Sequence, residues 1–213
     1  MVSAIPTTQE GSGQYGSRRG EKAAAPDAFA PLFFEECADF SLISRTEAIP
    51  ANHQLFTQDT RTDSVYLVET GLVKLVRLTN DGGEAILGLR GKGWFVDAAA
   101  VVLNCPHAFS VVSIMPCVVR RVSRNAFMEV LASSPAMVQH INRLMCREIC
   151  ADQEQQIEFR NGTAQGRLER LIRELVRLTG TERPLQNLPL KKFEIAQLLA
   201  ITPEHLSRLL REH

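Results

Sequence analysis

The stretch KKFEIAQLLAITPEHLSRLL, residues 191–210, contains two short amphipathic patterns with a break between them. Apolar residues of the first pattern recur at helical spacing and can cover a core, and they are Phe193, Ile195, Ala196, Leu198 and Leu199. After the break, Thr202 suits an N-cap, Pro203 suits the first helical position, and Glu204 suits the positive end of a helix. The sequence therefore predicts a second helix that begins at Pro203.

This second helix has an apolar side formed by leucines and a polar side on its first turns. Two helices joined by so short a turn are typical of a helix-turn-helix, whose second helix enters the major groove of DNA. Arg208 can donate two hydrogen bonds to guanine, Glu204 can accept one from cytosine, and Ser207 can contact a base or a phosphate. Side chains at the starts of the two predicted helices are suited to contact DNA phosphates. The predicted DNA-binding residues are Glu204, Ser207, Arg208, Thr202, His205, Arg211, Lys191 and Lys192.

Charge divides the chain into two parts. Residues 160–213 contain 10 Lys+Arg and 6 Asp+Glu, a balance of +4, whereas residues 1–159 contain 14 and 18, a balance of −4. Only the C-terminal part therefore has an electrostatic preference for a polyanion. On charge alone, an ordinary solvated surface is the more frequent explanation.

Residues 44–123 have the pattern of an antiparallel β-structure. Short runs rich in β-branched residues alternate with turn residues, and they read SVYLVE, LVKLVRL, EAILGLR, FSVVSI and CVVRRV. This rhythm is typical of a sandwich or a barrel. A tight hairpin is predicted at Asp81-Gly82-Gly83 and another turn at Gly71, because glycine adopts positive φ at little cost.

After Arg124 the pattern becomes helical. NAFMEVLASS predicts one helix, a long helix follows from Pro135, and GRLERLIRELVRLTG predicts another that stops at Gly180. If the long helix stands beyond a small barrel, a second copy of the chain covers its apolar stripe and the protein is a homodimer. The alternative is that the stripe packs on the chain's own barrel. The stripe consists of Met137, Ile141, Leu144, Met145 and Ile149.

Other segments predict less structure. Residues 1–28 are poor in large apolar groups and predict a mobile tail, followed by a short helix within Phe29–Phe40, and an extended piece is predicted at Gln186–Leu190. No run approaches the roughly 18 apolar residues of a membrane helix, and the N-terminus has no apolar signal core, so we expect a cytoplasmic protein. The five cysteines are scattered and odd in number, which predicts free thiols.

A β-roll followed by a long helix and a C-terminal helix-turn-helix resembles the Crp/Fnr superfamily of bacterial transcription regulators, from about Phe29 to the end of the chain. The E-x-x-S-R pattern of Glu204, Ser207 and Arg208 is similar to the recognition-helix motif of the branch that includes the fumarate and nitrate reduction regulator. The resemblance implies an α+β fold with a tail at 1–28, an antiparallel, cyclic-nucleotide-binding-like β-roll at 29–133, a dimerisation helix at 134–160 and a winged-type helix-turn-helix domain at 161–213. It also implies a homodimer that binds palindromic DNA with TTGA-like half-sites, with RNA polymerase as a candidate partner.

The chain departs from this family in its last segment. Relatives continue past the recognition helix into a β-hairpin wing, whereas this sequence ends at His213. The expectation is either a truncated sequence or weak DNA binding. Ala200 stands in the turn where many relatives have glycine, which is a small change if the backbone there stays helical.

The β-roll of the family often binds a cyclic nucleotide through a Gly-Glu element and a nearby Arg-Ser pair that holds the phosphate. The matching region here, GKGWFVDAAAVVLNCPHAFSVVS, has Asp97 near the glutamate position and no arginine. We expect poor cyclic-nucleotide affinity, because the phosphate lacks its guanidinium fork. The candidate effector-binding residues are Trp94, Phe95, Asp97 and His107, although Trp94 and Phe95 are more readily explained as core.

Relatives also use haem or an iron–sulfur cluster. Haem needs an axial ligand, for which His53, His107 or Cys105 are candidates, although a lone loop histidine is more often solvated. A cluster needs about four converging thiolates, and the N-terminal tail contains none. Cys146 and Cys150 lie one helical turn apart and can face each other across a dimer, but a buried structural thiol is more frequent. We therefore expect no cluster, whereas haem stays open and the effector is unassigned.

An enzyme is not expected. Metal-dependent β-barrels need two or three histidines and a carboxylate on adjoining strands, and the barrel offers only His53 and His107. The sequence also lacks a Gly-rich phosphate loop and a nucleophile–histidine set.

The prediction is a homodimeric DNA-binding transcription regulator in which an effector in the β-roll alters how the long helices pack. The alternative is a ligand-binding β-roll whose C-terminal helices contact protein rather than DNA.

Overall fold

The computed structural model describes residues 43–80, 82–180 and 190–212. Within them, eight strands form two four-stranded antiparallel sheets with the orders β1-β8-β3-β6 and β2-β7-β4-β5. The strands are β1 Arg45–Ile49, β2 Gln54–Phe56, β3 Ser64–Thr70, β4 Val73–Leu78, β5 Glu84–Arg90, β6 Phe95–Val96, β7 Ser110–Ser113 and β8 Cys117–Ser123. The predicted tail, the helix within Phe29–Phe40 and most of the extended piece at Gln186–Leu190 lie outside the described residues.

The two sheets face each other and form the predicted β-roll. Strand β3 shows how the core is divided, because successive side chains of a strand point to opposite faces. Tyr66 and Val68 face the interior between the sheets together with Val111 of β7. Val65 and Leu67 face the other way, into a second core that helices cover. All four β3 side chains are buried, so this strand is central to both layers.

Two glycine turns occur where the sequence predicts them. Gly82, with a φ of 82°, lies between β4 and β5, and its N–H donates to the Thr79 carbonyl over 2.9 Å. Gly71, with a φ of 91°, joins β3 to β4, and a Cβ built there would lie 2.5 Å from the Cys117 sulfur. Only glycine fits this second position, because it combines positive φ with close packing.

The described helices are α1 Ala98–Leu103, α2 Arg124–Ser133, α3 Pro135–Asn161, α4 Ala164–Thr179, α5 Lys192–Leu198 and α6 Pro203–Glu212. Local signals explain several ends. The Ser123 hydroxyl accepts from the Ala126 N–H at the start of α2, and the Thr163 hydroxyl accepts from the Gly166 N–H at the start of α4. Gly180 ends α4 in the left-handed conformation, as predicted. No described helix combines the length and the apolar character that a membrane crossing requires.

The apolar stripe of α3 packs mainly on its own roll. Met137, Ile141 and Leu144 are buried in one cluster with Val65 and Phe95. The prediction that a second chain covers this stripe is wrong for these three positions, and the alternative of packing on the chain's own barrel holds. The helix follows the outer face of the first sheet, so the stripe meets β-roll side chains rather than solvent.

The helix-turn-helix packs against the other end of the roll. Leu199, Leu206 and the buried leucines of α4 form one cluster with Leu72 and Leu89 of the roll. Polar contacts add to this junction. The Lys74 ammonium of β4 forms an ion pair with the buried Glu194 carboxylate of α5. The position of the helix-turn-helix is therefore defined by contacts with strands as well as by chain connection.

Candidate functional site

Helix α6 is held from behind by leucines. Leu206 and Leu209 are buried, whereas Leu210 is half-buried. The turn that leads into α6 is tight, because the Ala200 N–H donates to the Gln197 carbonyl over 3.0 Å. Ala200 has a φ of 50°, so the right-handed helical backbone that would make alanine a small change here is not present. The close return of the chain toward α6 requires the left-handed conformation that glycine adopts more easily.

The opposite side of α6 carries the predicted base-contacting groups. Glu204, Arg208 and Arg211 are exposed, and Ser207 is half-buried. The Ser207 hydroxyl donates to the Pro203 carbonyl over 2.9 Å, and the Arg211 Nε donates to the Ser207 carbonyl over 3.2 Å. Glu204 and Arg208 are thus exposed one turn apart, although the Glu204 carboxylate also bonds to the start of its own helix, and Ser207 and Arg211 bond to backbone carbonyls of α6.

The start of α6 is capped by Thr202. Its hydroxyl accepts from the His205 N–H over 3.2 Å, and its carbonyl accepts from the Leu206 N–H over 3.0 Å. The pKa of Glu204 is lowered from its ordinary value by hydrogen bonds from its own N–H and from Thr202. Glu204 is therefore an ionised acceptor at neutral pH. His205 is half-buried beside this cap, so it is less accessible than Glu204 or Arg208.

Lys191 and Lys192 are exposed at the start of α5. The Glu194 carboxylate accepts from the Lys191 N–H over 2.7 Å, which fixes this end of the helix. Phe193 is 47% exposed, so the prediction that it covers a core is wrong, and the Lys191 ammonium lies 5.8 Å from its ring centre. Both lysine side chains are thus open to solvent at this end of α5.

A second candidate site is a cavity of about 210 Å³ between the roll and α3. Residues of α3 form one wall, so a molecule in the cavity touches the long helix directly. The opposite walls come from β4, β5 and the segment that leads into α1. The lining residues are Leu75, Leu87, Arg90, Phe95, Asp97, Ala98, Ala99, Phe109, Met145, Glu148 and Asp152.

His107 is not a solvated loop residue. It is buried, its Nδ1 bonds to the Asp97 carboxylate, and its ring stacks on Phe56 with centroids 4.0 Å apart. Burial raises the pKa of Asp97 from its ordinary value, although His107 opposes the shift. The expectation of a solvated histidine is wrong, because the Cys105–Ser110 loop folds inward against β2. Asp97 lines the cavity, whereas His107 lies behind Asp97 and supports this carboxylate through their bond.

Trp94 and Phe95 are both buried, and Phe95 belongs to a core cluster and also lines the cavity. Sequence reasoning missed two cavity residues next to them. The Arg90 Nε bonds to the Glu148 carboxylate over 3.2 Å, and the guanidinium lies 4.8 Å from the Trp94 ring centre. Burial raises the pKa of Glu148, although Arg90 opposes the shift. Glu148 follows Leu144 by four residues, and this helical spacing could have indicated that Glu148 lies on the buried side of α3.

The side chains that line the cavity do not favour a cyclic phosphate. Three carboxylates line it, from Asp97, Glu148 and Asp152, against a single guanidinium that already bonds to Glu148. A phosphodiester would therefore meet unfavourable charge and no unengaged arginine.

The candidate ligands for haem do not converge. His53 and Cys105 are exposed, whereas His107 is committed to Asp97. Among the described residues, no three or more His, Cys, Asp or Glu side chains are grouped to hold a metal ion. Cys146 and Cys150 are both exposed, so the interpretation of these residues as buried structural thiols is wrong.

Comparisons with known proteins give consistent results. Residues 46–134 match the cyclic nucleotide-binding domain family. The chain is 28% identical over 158 residues to the transcriptional activatory protein AadR of Rhodopseudomonas palustris, covering 72% of this chain and 64% of that protein. It is 26% identical over 173 residues to the fumarate and nitrate reduction regulatory protein of Yersinia pestis, covering 80% and 69%.

A similar fold occurs in the solved structure of FixK2 from Bradyrhizobium japonicum. That comparison has a TM-score of 0.65 at 20% identity, and it covers 80% of this chain and 84% of the other. This chain spans less than two thirds of the length of AadR.

Proposed function

Because this chain belongs to the Crp/Fnr superfamily of bacterial transcription regulators, we propose that it binds a specific DNA sequence as a homodimer. The observation that carries this proposal is the arrangement of α6. Its leucines hold it to the body of the protein, while Glu204 and Arg208 project outward one turn apart. A helix presented in this way can enter the major groove by its first turns.

The contacts that we propose fall into two classes. Arg208 reads a guanine through two hydrogen bonds, and ionised Glu204 accepts from a cytosine. Lys191 and Lys192 contact phosphates and position the protein without reading sequence. Ser207 needs a rotation of its hydroxyl away from the Pro203 carbonyl before it reaches DNA. The site that we propose is a palindrome with TTGA-like half-sites.

We propose α3 as the dimer contact. Its inner stripe is used by the roll, but Val138 and Ile149, which share one side of α3 next to that stripe, are exposed. Burying such residues against a second copy stabilises a dimer, since each Å² of apolar surface removed from water contributes about 25 cal/mol. A two-fold dimer would present two α6 helices to half-sites about 34 Å apart, one turn of DNA.

The roll cavity is the site that we propose for the effector. A ligand there contacts Met145 and Glu148 of α3 directly, so it can change how two long helices pack and shift the population of DNA-binding dimers. The carboxylates of the cavity disfavour a phosphodiester, so we propose an effector other than a cyclic nucleotide. We place the protein in the cytoplasm, where it meets DNA, and RNA polymerase is its proposed partner.

The proposal is tested by titrating labelled duplexes and following fluorescence anisotropy. A palindromic duplex with TTGA half-sites should bind more tightly than a scrambled duplex. The affinity should fall steeply as salt rises, because phosphate neutralisation releases counterions. Arg208→Ala should weaken specific binding by about 1–3 kcal/mol and relax the preference at one base position of each half-site.

Lys192→Ala is the matched control for Arg208→Ala. It removes a cation that does not face the bases, so it should weaken binding to both duplexes equally and reduce the salt slope by about 1 per lost phosphate contact. If the Arg208→Ala protein bound both duplexes as the parent does, α6 would not be a recognition helix. The protein-contact alternative predicts that neither duplex is bound at any salt concentration.

A further inference from the structure

Helix α4 carries four arginines on one side. Successive residues of an α-helix are rotated by about 100°, so positions three, six and ten residues after the first fall within about 120° of one another. The four are Arg167, Arg170, Arg173 and Arg177. They make up four of the ten Lys+Arg in residues 160–213, whereas α6 contains two. Much of the positive charge of the C-terminal part therefore lies outside the recognition helix.

This side of α4 borders a recess where the roll, the long helix and the helix-turn-helix meet. The recess has a volume of about 70 Å³, and Arg90 of β5, Asp152 of α3 and Leu199 line it together with Arg167 and Arg170. A second recess of about 170 Å³ shares Arg170 with the first, and its size is comparable with an engineered cavity of about 150 Å³ that binds benzene. Together these two recesses form the arginine groove. The described lining of the second recess is Arg170, Arg173, Glu174 and Arg177.

Arg167 is held in the groove by neutral groups. Its side chain is half-buried, its Nε donates to the Leu199 carbonyl over 2.8 Å, and its Nη1 donates to the Gly162 carbonyl over 3.1 Å. Among the residues that the structure describes, no carboxylate forms an ion pair with Arg167. The two bonds orient the guanidinium without neutralising its charge, and they use two of its five N–H donors. A partly buried cation of this kind favours an anionic partner.

The groove as a whole has a surplus of positive charge. Its described lining contains five arginines against the carboxylates of Asp152 and Glu174. Arg90 and Arg170 also have carboxylate partners on α3, beyond the groove, at 3.2 and 3.9 Å. Five cations therefore face four carboxylates when these partners are counted too, a balance of +1. The two partners are Glu148 and Glu154.

Glu174 shows that the arginines of two elements converge. Burial raises the pKa of this carboxyl group, although the charges of Arg90, Arg170 and Arg177 oppose the shift. Arg90 belongs to the roll, whereas the other two belong to α4. The cations therefore approach one place from both sides of the junction.

We propose that the arginine groove binds a small molecule that carries phosphate groups. Guanidinium groups bond phosphate oxygens in a bidentate manner, which gives both affinity and orientation. The first recess lies between four elements and is too small for a duplex, so a small ligand fits it better than DNA does. The groove is distinct from the roll cavity, whose carboxylates disfavour phosphate, although Arg90 borders both.

A phosphate in the groove would connect the roll to the helix-turn-helix. Arg90 is part of strand β5, whereas Arg167 bonds to the Leu199 carbonyl in the turn that leads to α6. A ligand bound by both arginines stabilises the arrangement in which the helix-turn-helix contacts the roll, because binding favours the conformation that holds the ligand best. This regulation would act beside that of the roll cavity.

The test titrates the full chain with sodium pyrophosphate by isothermal titration calorimetry, with sodium chloride keeping the ionic strength constant. The parent should bind one pyrophosphate per chain. Arg167→Gln and Arg173→Gln should each weaken binding by about tenfold or more, because each removes charge-assisted hydrogen bonds. Arg143→Gln is the matched control. It removes the same charge from an exposed position of α3 that is not part of the described lining, so the affinity should stay unchanged.

Arg173 is exposed, so Arg173→Gln keeps the test decisive if Arg167→Gln fails to fold, which far-UV circular dichroism would show. Equal binding by the parent and Arg173→Gln, or heats that do not saturate, would overturn the phosphate site. Displacement of pyrophosphate by a scrambled duplex would assign these arginines to the DNA interface and would overturn it as well. The titration requires neither a palindrome nor a dimer, so its outcome is separate from that of the proposed function.

Discussion

Ala200 shows how a single residue can conflict with the turn that contains it. Its φ of 50° places an L-residue in the left-handed region, where glycine is preferred by about 1 kcal/mol. The residue is exposed, so its methyl group contributes little to packing. We predict that Ala200→Gly raises the free energy of unfolding by about 0.5–1 kcal/mol, measured by urea denaturation.

The control for this substitution is Ala132→Gly, at an exposed position inside α2. Here the backbone is helical, so glycine should lower the free energy of unfolding by up to about 1 kcal/mol. Opposite signs for the two changes would establish that φ rather than side-chain loss is responsible. A loss of stability at both positions would contradict the role of the left-handed turn.

Asp97 links stability to pH. Burial raises its pKa in the folded state, so the folded protein holds this proton more tightly than the unfolded chain does. Its contribution to stability is present below about pH 4 and is lost as pH rises through the raised pKa. We predict that the unfolding free energy of Asp97→Asn declines less than that of the parent between pH 4 and neutrality, in urea titrations at several pH values.

The asparagine retains an oxygen that can accept from the His107 ring, so the variant should fold. Because Glu148 also has a raised pKa, only the difference between variant and parent reports on Asp97. Parallel stability curves for the two proteins would show that Asp97 does not titrate differently in the folded and unfolded states.

Some of these residues were predictable and others were not. The N-cap role of Thr202 follows from local sequence, because a cap bonds within its own turn. The Asp97–His107 bond was not predictable, since it depends on how a loop folds back over the roll. The positive φ of Ala200 was missed because a helical alternative was equally compatible with the sequence.

At the scale of elements, α6 depends on its first turn. It is short and amphipathic, and the Thr202 hydroxyl satisfies the His205 N–H that would otherwise lack an intrahelical acceptor. We predict that Thr202→Ala lowers the free energy of unfolding by about 1 kcal/mol. Thr202→Ser retains the acceptor and should restore most of the loss. Equal destabilisation by both substitutions, measured by thermal unfolding, would mean that the cap does not stabilise α6.

The long helix shows what amphipathic patterns can and cannot predict. The pattern from Pro135 predicted the length of α3 and the identity of its apolar positions. It did not predict which surface those positions meet, because periodicity gives a direction around the helix axis and not a partner. The roll contacts Met137, Ile141 and Leu144, whereas Ile149 of the same predicted stripe is exposed. Residues of one predicted stripe therefore have different surroundings.

At the scale of the whole molecule, the roll and the helix-turn-helix share a core. Leu199 is buried in the cluster that joins them, and its replacement by alanine should lower the free energy of unfolding by about 2–5 kcal/mol. If both parts unfold together, the fluorescence of Trp94, the sole tryptophan, should shift its urea midpoint as much as the helical ellipticity does.

Leu103→Ala is the control for that experiment, because Leu103 is 72% exposed on α1. An exposed substitution should change stability by no more than about 0.5 kcal/mol. If Leu199→Ala lowered the ellipticity midpoint and left the Trp94 midpoint unchanged, the helix-turn-helix would unfold independently of the roll.

The β4–β5 hairpin connects the cavity of the β-roll with the helix-turn-helix. Lys74 on one strand pairs with Glu194, and the Glu84 carbonyl on the other accepts from the Gln197 amide over 2.9 Å. Both residues contact the same short helix, α5, and Arg90, which pairs with Val73 beside Lys74, lines the cavity. A ligand that tilts this hairpin would move α5. The helix-turn-helix would then rotate with α5, even if α3 kept its position.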